Sequence, residues 1–246
     1  LPEEYVCRIL NAADRRMRNI CKNRGRIWIA IGIDVGPCSR NCKFCSMGAK
    51  WGIFKQKFEM TSEKICTFVS NLVIDKPDWI TLRTSQDYEI AKLCKVVQKL
   101  KEILSGTQIE IVVNTGEFDK KEADELYSAG VSTVYHTLRL REGIDTGISV
   151  QERLKTLKVI RNSKLKLAAL VEPIGPEHTD EEIVDAVFCL KDFNISLCGA
   201  MARVPVNGTP LSNIGKISEK RMVRIISMIR LILGSEVEAI CVHPPS

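Results

Sequence analysis

The residues best suited to chemistry are three cysteines close together near the start of the chain. Cys38, Cys42 and Cys45 stand in the segment GPCSRNCKFC (residues 36–45), with three and then two residues between them. Thiolates at this spacing can wrap around a single soft metal centre from one loop. A structural zinc site or an electron-transfer [4Fe–4S] cluster uses four protein ligands, so three cysteines leave one iron of a cubane open to an external ligand. An open position of this kind indicates catalysis.

Two other interpretations of these cysteines stay open. His136, His178 or His243 could complete a zinc site with them, and the thiols could also be inert. The other cysteines are scattered singly through a chain that is neither short nor led by a secretory segment. A disulfide framework is therefore not expected, and the scattered thiols are predicted to be small buried hydrophobic groups.

The elements that must position the cysteines alternate between apolar, β-rich runs and helical patterns. Runs typical of parallel strands buried on both faces lie at residues 27–34, 79–83, 108–114, 133–138, 165–171, 197–204 and 236–241. After a helical lead-in over about residues 3–23, helices are predicted at 61–74, 87–104, 120–129, 150–162, 180–193 and 218–233.

Repeated βα units of this kind predict an α/β fold, a partial (βα)6 TIM-like barrel. We expect residues 1–246 to form a single core domain with a short helical lead-in over residues 1–26. Chemistry in such folds takes place at the carboxyl ends of the strands, and the cysteine segment directly follows the first predicted strand.

The motif Cys38-x3-Cys42-x-Phe44-Cys45 resembles the signature of the radical S-adenosylmethionine (SAM) superfamily, in which an aromatic residue precedes the third cysteine. The resemblance covers about residues 1–243 and implies that the three thiolates hold a [4Fe–4S] cluster. It implies that the fourth iron binds the amino and carboxylate groups of SAM. Reductive cleavage of SAM would then give a 5′-deoxyadenosyl radical that abstracts hydrogen from a small-molecule or cofactor-precursor substrate. A reductant such as ferredoxin or flavodoxin is the expected partner.

Polar residues at the ends of the later strands are candidates to hold SAM. Thr84-Ser85-Gln86 stands where the family has a Gly-Gly-Glu-like motif that binds the SAM ammonium, so Gln86 is the candidate for that role and Asp87 its charged substitute. Asn114 and Glu117 follow the third strand on either side of Gly116, a residue that permits close backbone approach. A helix cap is the structural alternative for Gln86, and for Thr115 with Glu117.

The fourth, fifth and sixth strands end in further candidates. Strand alternation places Thr137 and Arg139 on one face, where Arg139 could pair bidentately with a carboxylate of SAM or substrate. The backbone near Ile174 resembles the segment that packs on adenine in the family, and Arg203 is a candidate for the SAM carboxylate or an anionic substrate. Ordinary ion pairs are the alternative for both arginines. The candidate cofactor-binding residues are thus Phe44, Gln86, Asp87, Asn114, Glu117, Thr137, Arg139, Ile174 and Arg203.

The segment PVNGTPL (residues 205–211) resembles the biotin synthase branch of the superfamily. Biotin synthase carries a second, [2Fe–2S] cluster held by cysteines on later strands. At corresponding places this sequence has Leu82 or Arg83, Thr115, and Ala168 or Ala169. Biotin synthesis itself is therefore not expected. The hydrogenase maturases and methylornithine synthase of the same branch favour the maturation of a cofactor or small molecule.

A second interpretation of the function is sulfur insertion into a protein-bound octanoyl chain, as in the two-component lipoyl synthases. That reaction needs an auxiliary cluster, perhaps with a partner subunit. Its ligands would come from Cys7, Cys21, Cys189, Cys198 or Cys241. A third interpretation is an iron–sulfur module without catalysis. Relatives usually continue beyond Ser246, so a C-terminal extension is expected to be missing.

The composition limits the setting in which the protein acts. Hydrophobic residues make up 45% and charged residues 27%, and the net charge is +6. Basic residues concentrate in residues 15–26, which predicts a solvated helix face or a docking surface for an acidic partner. No aromatic residues interleave with them and no long apolar run occurs, so neither nucleic acid nor membrane is an expected partner. Because exposed low-potential clusters are oxygen-labile, an anaerobe's cytoplasm is the expected location.

Overall fold

The computed structural model describes residues 3–235 and 237–243. Its strands are β1 (Trp28–Gly32), β2 (Asp34–Val35), β3 (Phe58–Glu59), β4 (Trp79–Arg83), β5 (Glu110–Asn114), β6 (Thr133–Tyr135), β7 (Lys166–Ile174), β8 (Leu197–Ala202) and β9 (Ala239–His243). Its α-helices are α1 (Glu3–Cys21), α2 (Ser62–Leu72), α3 (Ile90–Ile103), α4 (Lys120–Ala129), α5 (Val150–Arg161), α6 (Asp180–Lys191) and α7 (Glu219–Leu233).

Most of the strands form one parallel sheet. The strand order is β1-β4-β5-β6-β7-β8-β9, and a helix connects each strand from β4 onward to the next. β2 and β3 pair separately as an antiparallel ribbon at the base of the segment that carries the cysteines. The predicted α/β fold, a partial TIM-like barrel, is confirmed. None of the described helices combines the length and apolar character needed to cross a bilayer.

The two faces of the sheet bury different groups of side chains. Ile80, Leu82 and Val113 face the helices and are fully buried in the larger hydrophobic cluster. The concave face carries a smaller cluster in which Trp28 packs edge-on against Trp79, with ring centroids 6.0 Å apart. Burial on both faces explains why the strands read as continuous apolar runs. The aromatic cluster closes the barrel below the polar ends of the strands.

Some boundaries differ from the sequence-based expectation, and hydrogen bonding explains the clearest case. β6 ends at Tyr135 instead of residue 138. At Thr137 the hydrogen bond to β7 comes from the side chain and not from the backbone, because its hydroxyl donates to the Leu170 carbonyl over 2.7 Å. β7 passes a register shift after Val171 and pairs with β8 again at Ile174. The sequence analysis missed the β2–β3 ribbon, since strands of two residues carry no periodic signal. The last strand was predicted over residues 236–241, of which residue 236 lies outside the described residues.

Candidate functional site

A cavity of about 540 Å³ opens at the carboxyl ends of the parallel strands. Strand register places Gly32, Arg83 and Asn114 side by side on its concave floor. The cysteine segment forms the opposing wall. A pocket of this size suits a drug-sized or cofactor-sized ligand. The cavity therefore lies where the βα alternation predicted chemistry.

The three cysteines all line this cavity, and backbone hydrogen bonds fold their segment into a compact loop. The Cys38 amide donates to the Met47 carbonyl over 2.6 Å, and the Cys45 amide donates to the Cys42 carbonyl over 2.9 Å. Burial raises the pKa of the Cys38 and Cys45 thiols. These thiols are therefore protonated at neutral pH, and metal binding must release their protons.

The three thiols of the loop are the candidate ligands of a metal centre. Among the described residues, no three His, Cys, Asp or Glu side chains are grouped closely enough to hold one metal ion. Each thiolate of a cubane binds a different iron, so its sulfurs stand further apart than the ligands of a single zinc. The arrangement of Cys38, Cys42 and Cys45 around one cavity is compatible with the larger centre.

A buried ion-pair network supports the wall beside α5. Arg153 Nη1 lies 2.6 Å from Glu117 Oε1, and Arg153 Nε lies 3.0 Å from Glu142 Oε2. His136 Nε2 is 3.1 Å from the second Glu117 oxygen, which also accepts a hydrogen bond from the Thr156 hydroxyl. Burial alone would raise the pKa of Glu117, but His136, Arg153 and Thr156 outweigh it and hold that pKa at about 2.

One polar atom of this network has no partner. Arg153 lines the cavity and is only 3% exposed, yet its Nη2 makes no hydrogen bond within the described part of the chain. A buried N–H without an acceptor is costly, and an anionic group bound in the cavity would satisfy it. The cavity thus carries a donor that the protein itself leaves unused.

The sequence analysis missed Arg153, although a signal was present. The buried face of α5 is formed by Arg153, Thr156, Leu157 and Ile160. This spacing is the apolar stripe of a core-facing helix, so an arginine in it indicates a buried charge with partners.

Two more arginines line the cavity. Arg139 Nε lies 3.4 Å from Glu172 Oε1, and the Tyr135 hydroxyl donates to the other Glu172 oxygen. Arg203 forms a two-pronged pair with Glu177, with 2.9 Å between Nη2 and Oε2. Arg203 is 2% exposed, and its Nε makes no hydrogen bond to any described residue.

The structure brings most of the predicted residues together. Besides the cysteines, the cavity lining includes Phe44, Gln86, Asn114, Thr137, Arg139 and Arg203. A Cβ at Gly116 would stand 1.9 Å from the Gln86 carbonyl oxygen, so this position admits only a residue without a Cβ unless the backbone shifts.

The remaining predicted residues lie elsewhere. Asp87 is exposed outside the cavity lining, Ile174 is fully buried among the helix-facing side chains, and Glu117 stands behind Arg153. The capping alternative is wrong for Thr115 and Glu117. α4 is capped by Asp119, which exchanges hydrogen bonds with Glu122.

The candidate ligands of an auxiliary cluster do not meet in the cavity. Cys7 and Cys21 belong to α1, Cys189 to α6 and Cys198 to β8, where it faces the helices. None of these four thiols lines the cavity. The side chain of Cys241, the fifth candidate, lies outside the described residues, as does that of His243.

Two buried histidines predict a loss of stability in mild acid. Burial lowers the pKa of His136 and His178 below the ordinary value of 6.5. Below pH 6.5 these histidines bind protons in the unfolded chain but not yet in the folded chain. The free energy of unfolding therefore falls as the pH drops, until the pKa of the folded state is reached. Each histidine contributes at most about 1.4 kcal/mol per pH unit. We expect this decline in urea unfolding of metal-free protein between pH 8 and pH 5.

The His136→Gln variant should show a shallower dependence on pH than the wild type, and His178→Gln should do the same independently. Equal slopes in the wild type and both variants would contradict the assignment of the transition to these side chains.

The chain is similar to proteins of known function at low sequence identity. No protein-family model matches it. The biotin synthase of Sulfurihydrogenibium sp. is 24% identical over 238 residues, which are 94% of this chain and 71% of that protein. The biotin synthase of Persephonella marina is 24% identical over 238 residues, covering 94% of this chain and 70% of that protein.

Solved structures share the fold. Methylornithine synthase superposes with a TM-score of 0.82 at 16% identity, covering 98% of this chain and 78% of that one. HydG, a maturase of the [FeFe]-hydrogenase, gives a TM-score of 0.85 at 14% identity, covering 100% of this chain and 58% of that one. The radical SAM methyltransferase TsrM from Kitasatospora setae, solved with cobalamin and a [4Fe–4S] cluster, gives 0.51 at 15% identity, covering 75% and 36%.

Proposed function

We infer that this chain is a biotin synthase-like member of the radical SAM superfamily, as its cysteine motif predicted, and we propose that it cleaves SAM to start hydrogen abstraction from a small molecule or cofactor precursor. The observation that carries the proposal is that Cys38, Cys42 and Cys45, on one loop, line a cavity of about 540 Å³. Relatives matched over 94% of this chain are biotin synthases, which supports the same chemistry.

The residues present fit a [4Fe–4S] cluster and SAM. Cys38, Cys42 and Cys45 would hold three irons of the cluster and leave the fourth open for the cofactor. With both groups bound, they would supply reductive cleavage of the sulfonium and a carbon radical able to take hydrogen from the substrate. The candidate SAM-binding residues in the cavity lining are Phe44, Gln86, Asn114, Thr137, Arg139, Arg153 and Arg203.

Arg153 is the strongest candidate to hold the SAM carboxylate. Its Nε and Nη1 are engaged by Glu142 and Glu117, which fix the guanidinium, while Nη2 has no acceptor among the described residues. A carboxylate oxygen placed there would complete a buried, charge-assisted hydrogen bond without any rearrangement of the arginine. Arg203, held by Glu177 and with its Nε unpartnered, offers a second donor of the same kind.

Neighbouring side chains keep the loops around the cavity in register. Asp34 accepts a hydrogen bond from the Ser85 amide over 2.6 Å, and Thr84 donates to the Thr115 hydroxyl over 2.9 Å. Asn114 Nδ2 donates to the Tyr135 carbonyl over 2.9 Å. These bonds link β2 and the carboxyl ends of β4, β5 and β6 in sequence. They act by positioning the residues that would touch SAM.

The finer points of the proposal follow from the cavity. A cleft of this size is more than a plain electron-transfer module requires, so we favour an enzyme over a non-catalytic iron–sulfur protein. Sulfur insertion into an octanoyl chain is less favoured, because Cys7, Cys21, Cys189 and Cys198 do not line the cavity. Ferredoxin or flavodoxin would deliver the electron in an anaerobe's cytoplasm.

Anaerobic reconstitution with iron and sulfide tests the proposal. We expect about four irons per chain, a visible chromophore, and release of 5′-deoxyadenosine when dithionite and SAM are added. Reactions without dithionite serve as the control and should release none. Protein that binds zinc without colour would contradict the cluster, and a cubane that never cleaves SAM would indicate the non-catalytic module.

A further inference from the structure

Arg83 is an unpaired cation on the floor of the cavity. It ends β4 on the concave face, in register with Gly32 of β1 and Asn114 of β5. Its side chain is exposed to the cavity, and within residues 3–235 and 237–243 its guanidinium makes no hydrogen bond and no ion pair.

The other arginines of the lining already have carboxylate partners. The pairs are Arg40 with Glu152, Arg139 with Glu172, Arg153 with Glu117 and Glu142, and Arg203 with Glu177. Glu172, which belongs to β7 and lines the same cavity, also accepts a hydrogen bond from the Tyr135 hydroxyl. Its charge is thus shared between Arg139 and Tyr135. Among the arginines of the lining, Arg83 is the one without a carboxylate partner in the described part of the chain.

The space around Arg83 is shaped for a ligand that enters deeper than the rim. Ala30 and Gly32 supply the adjoining surface of β1, and a Cβ at Gly32 would meet no atom within 4 Å. Below Arg83 the floor is apolar, with Trp28 and Met201 lining a small space beneath it. A ligand there meets one positive charge surrounded by small and apolar side chains. A ligand with an anionic group at the end that reaches Arg83 would pair with this charge.

We propose that Arg83 binds a carboxylate or phosphate of the substrate, and that the substrate is therefore a small anionic molecule. This inference rests on the proposed function, because it assigns the floor of the same cavity to the substrate and the loop side to the cluster and SAM. It also separates two candidate reactions. An octanoyl group in amide linkage carries no charge, and seating it against Arg83 would desolvate the guanidinium without compensation.

The experiment measures 5′-deoxyadenosine formation by reconstituted holoenzyme with saturating SAM and dithionite. The probe is the low-molecular-weight pool of an anaerobic cell extract, divided on an anion exchanger into a retained fraction and a flow-through. The variants are Arg83→Gln, Arg83→Lys and Arg161→Gln, the last removing an exposed positive charge at the end of α5. Iron content is measured for each variant, so that loss of folding is seen directly.

The retained fraction should stimulate the wild type and Arg161→Gln equally. Loss of a charged hydrogen bond predicts that Arg83→Gln reduces this stimulation by about tenfold or more, with Arg83→Lys in between. Stimulation confined to the flow-through, or equal stimulation of Arg83→Gln, would overturn the inference. Full recovery of the stimulation of Arg83→Gln when the SAM concentration is raised further would overturn it too, since that outcome assigns Arg83 to SAM. Wild-type protein that builds no cubane and cleaves no SAM would overturn the proposed function itself.

Discussion

Alanine at Cys38, Cys42 or Cys45 is expected to abolish SAM cleavage and to prevent assembly of a stable cubane. Each thiolate would bind a different iron, so no remaining residue in the loop can take over a lost position. Since changes even to the residues behind metal ligands cost 10–100-fold in activity, loss of a ligand should cost at least about 100-fold. Iron content and 5′-deoxyadenosine formation after anaerobic reconstitution measure the effect.

Two cysteines outside the cavity provide matched controls. Cys66 is half-buried on α2 and Cys94 is buried on α3, and neither lines the cavity. Their alanine variants should keep about four irons per chain and near wild-type cleavage. A full cubane in any one of the three loop variants would contradict the ligand assignment. An iron loss in Cys21→Ala or Cys198→Ala would instead indicate an auxiliary cluster.

The Arg153→Met substitution is expected to reduce both stability and SAM affinity. It would leave Glu117 and Glu142 without the guanidinium that now lies 2.6 Å and 3.0 Å from their oxygens. Breaking a buried ion pair from one side costs about 3–5 kcal/mol of unfolding free energy. Urea unfolding measures this cost, and equilibrium binding of SAM to the reconstituted protein measures the loss of the Nη2 donor.

Arg141→Met is the control for a lost ion pair at the surface. Arg141 Nε lies 2.8 Å from Glu182 Oε1, but both side chains are about one third exposed. Its removal should cost less than about 1 kcal/mol and leave SAM binding unchanged. Equal losses of unfolding free energy in the two variants would contradict the expectation that the buried ion pairs of Arg153 contribute more to stability than the exposed pair of Arg141. Wild-type SAM affinity in a folded Arg153→Met protein would remove this arginine from the SAM site.

The sequence predicted the parts of the molecule that follow simple periodic rules. Strands buried on both faces read as apolar runs, and β4 was predicted with the bounds that the structure has. The bounds predicted for helix α4 also agree with the structure. The cysteine loop was predicted from spacing alone, because three thiolates in eight residues have few structural uses. These two signals were sufficient to predict the edge of the sheet at which the cavity opens.

Side-chain direction was the part that the sequence did not determine. Asn114 ends β5 and Glu117 lies three residues further on, yet Glu117 points to Arg153 on α5, whose buried guanidinium pairs with both Glu117 and Glu142. Arg153 itself lies in a helix, away from the strand ends where ligands were sought. Arg83 and Arg139 both stand at strand ends in the sequence, and only the structure shows that Glu172 pairs with Arg139 while no described carboxylate pairs with Arg83.

The β2–β3 ribbon would influence how the proposed cluster assembles. By pairing Asp34 with Glu59 and Val35 with Phe58, it joins the two ends of the segment that carries the cysteines. The conformational entropy of closing that segment is then lost when the chain folds, not when iron arrives. Iron loading should accordingly be fast and nearly independent of global folding, unlike that of a zinc finger, whose chain orders only around its ion. Chelation should remove the metal while the barrel stays folded.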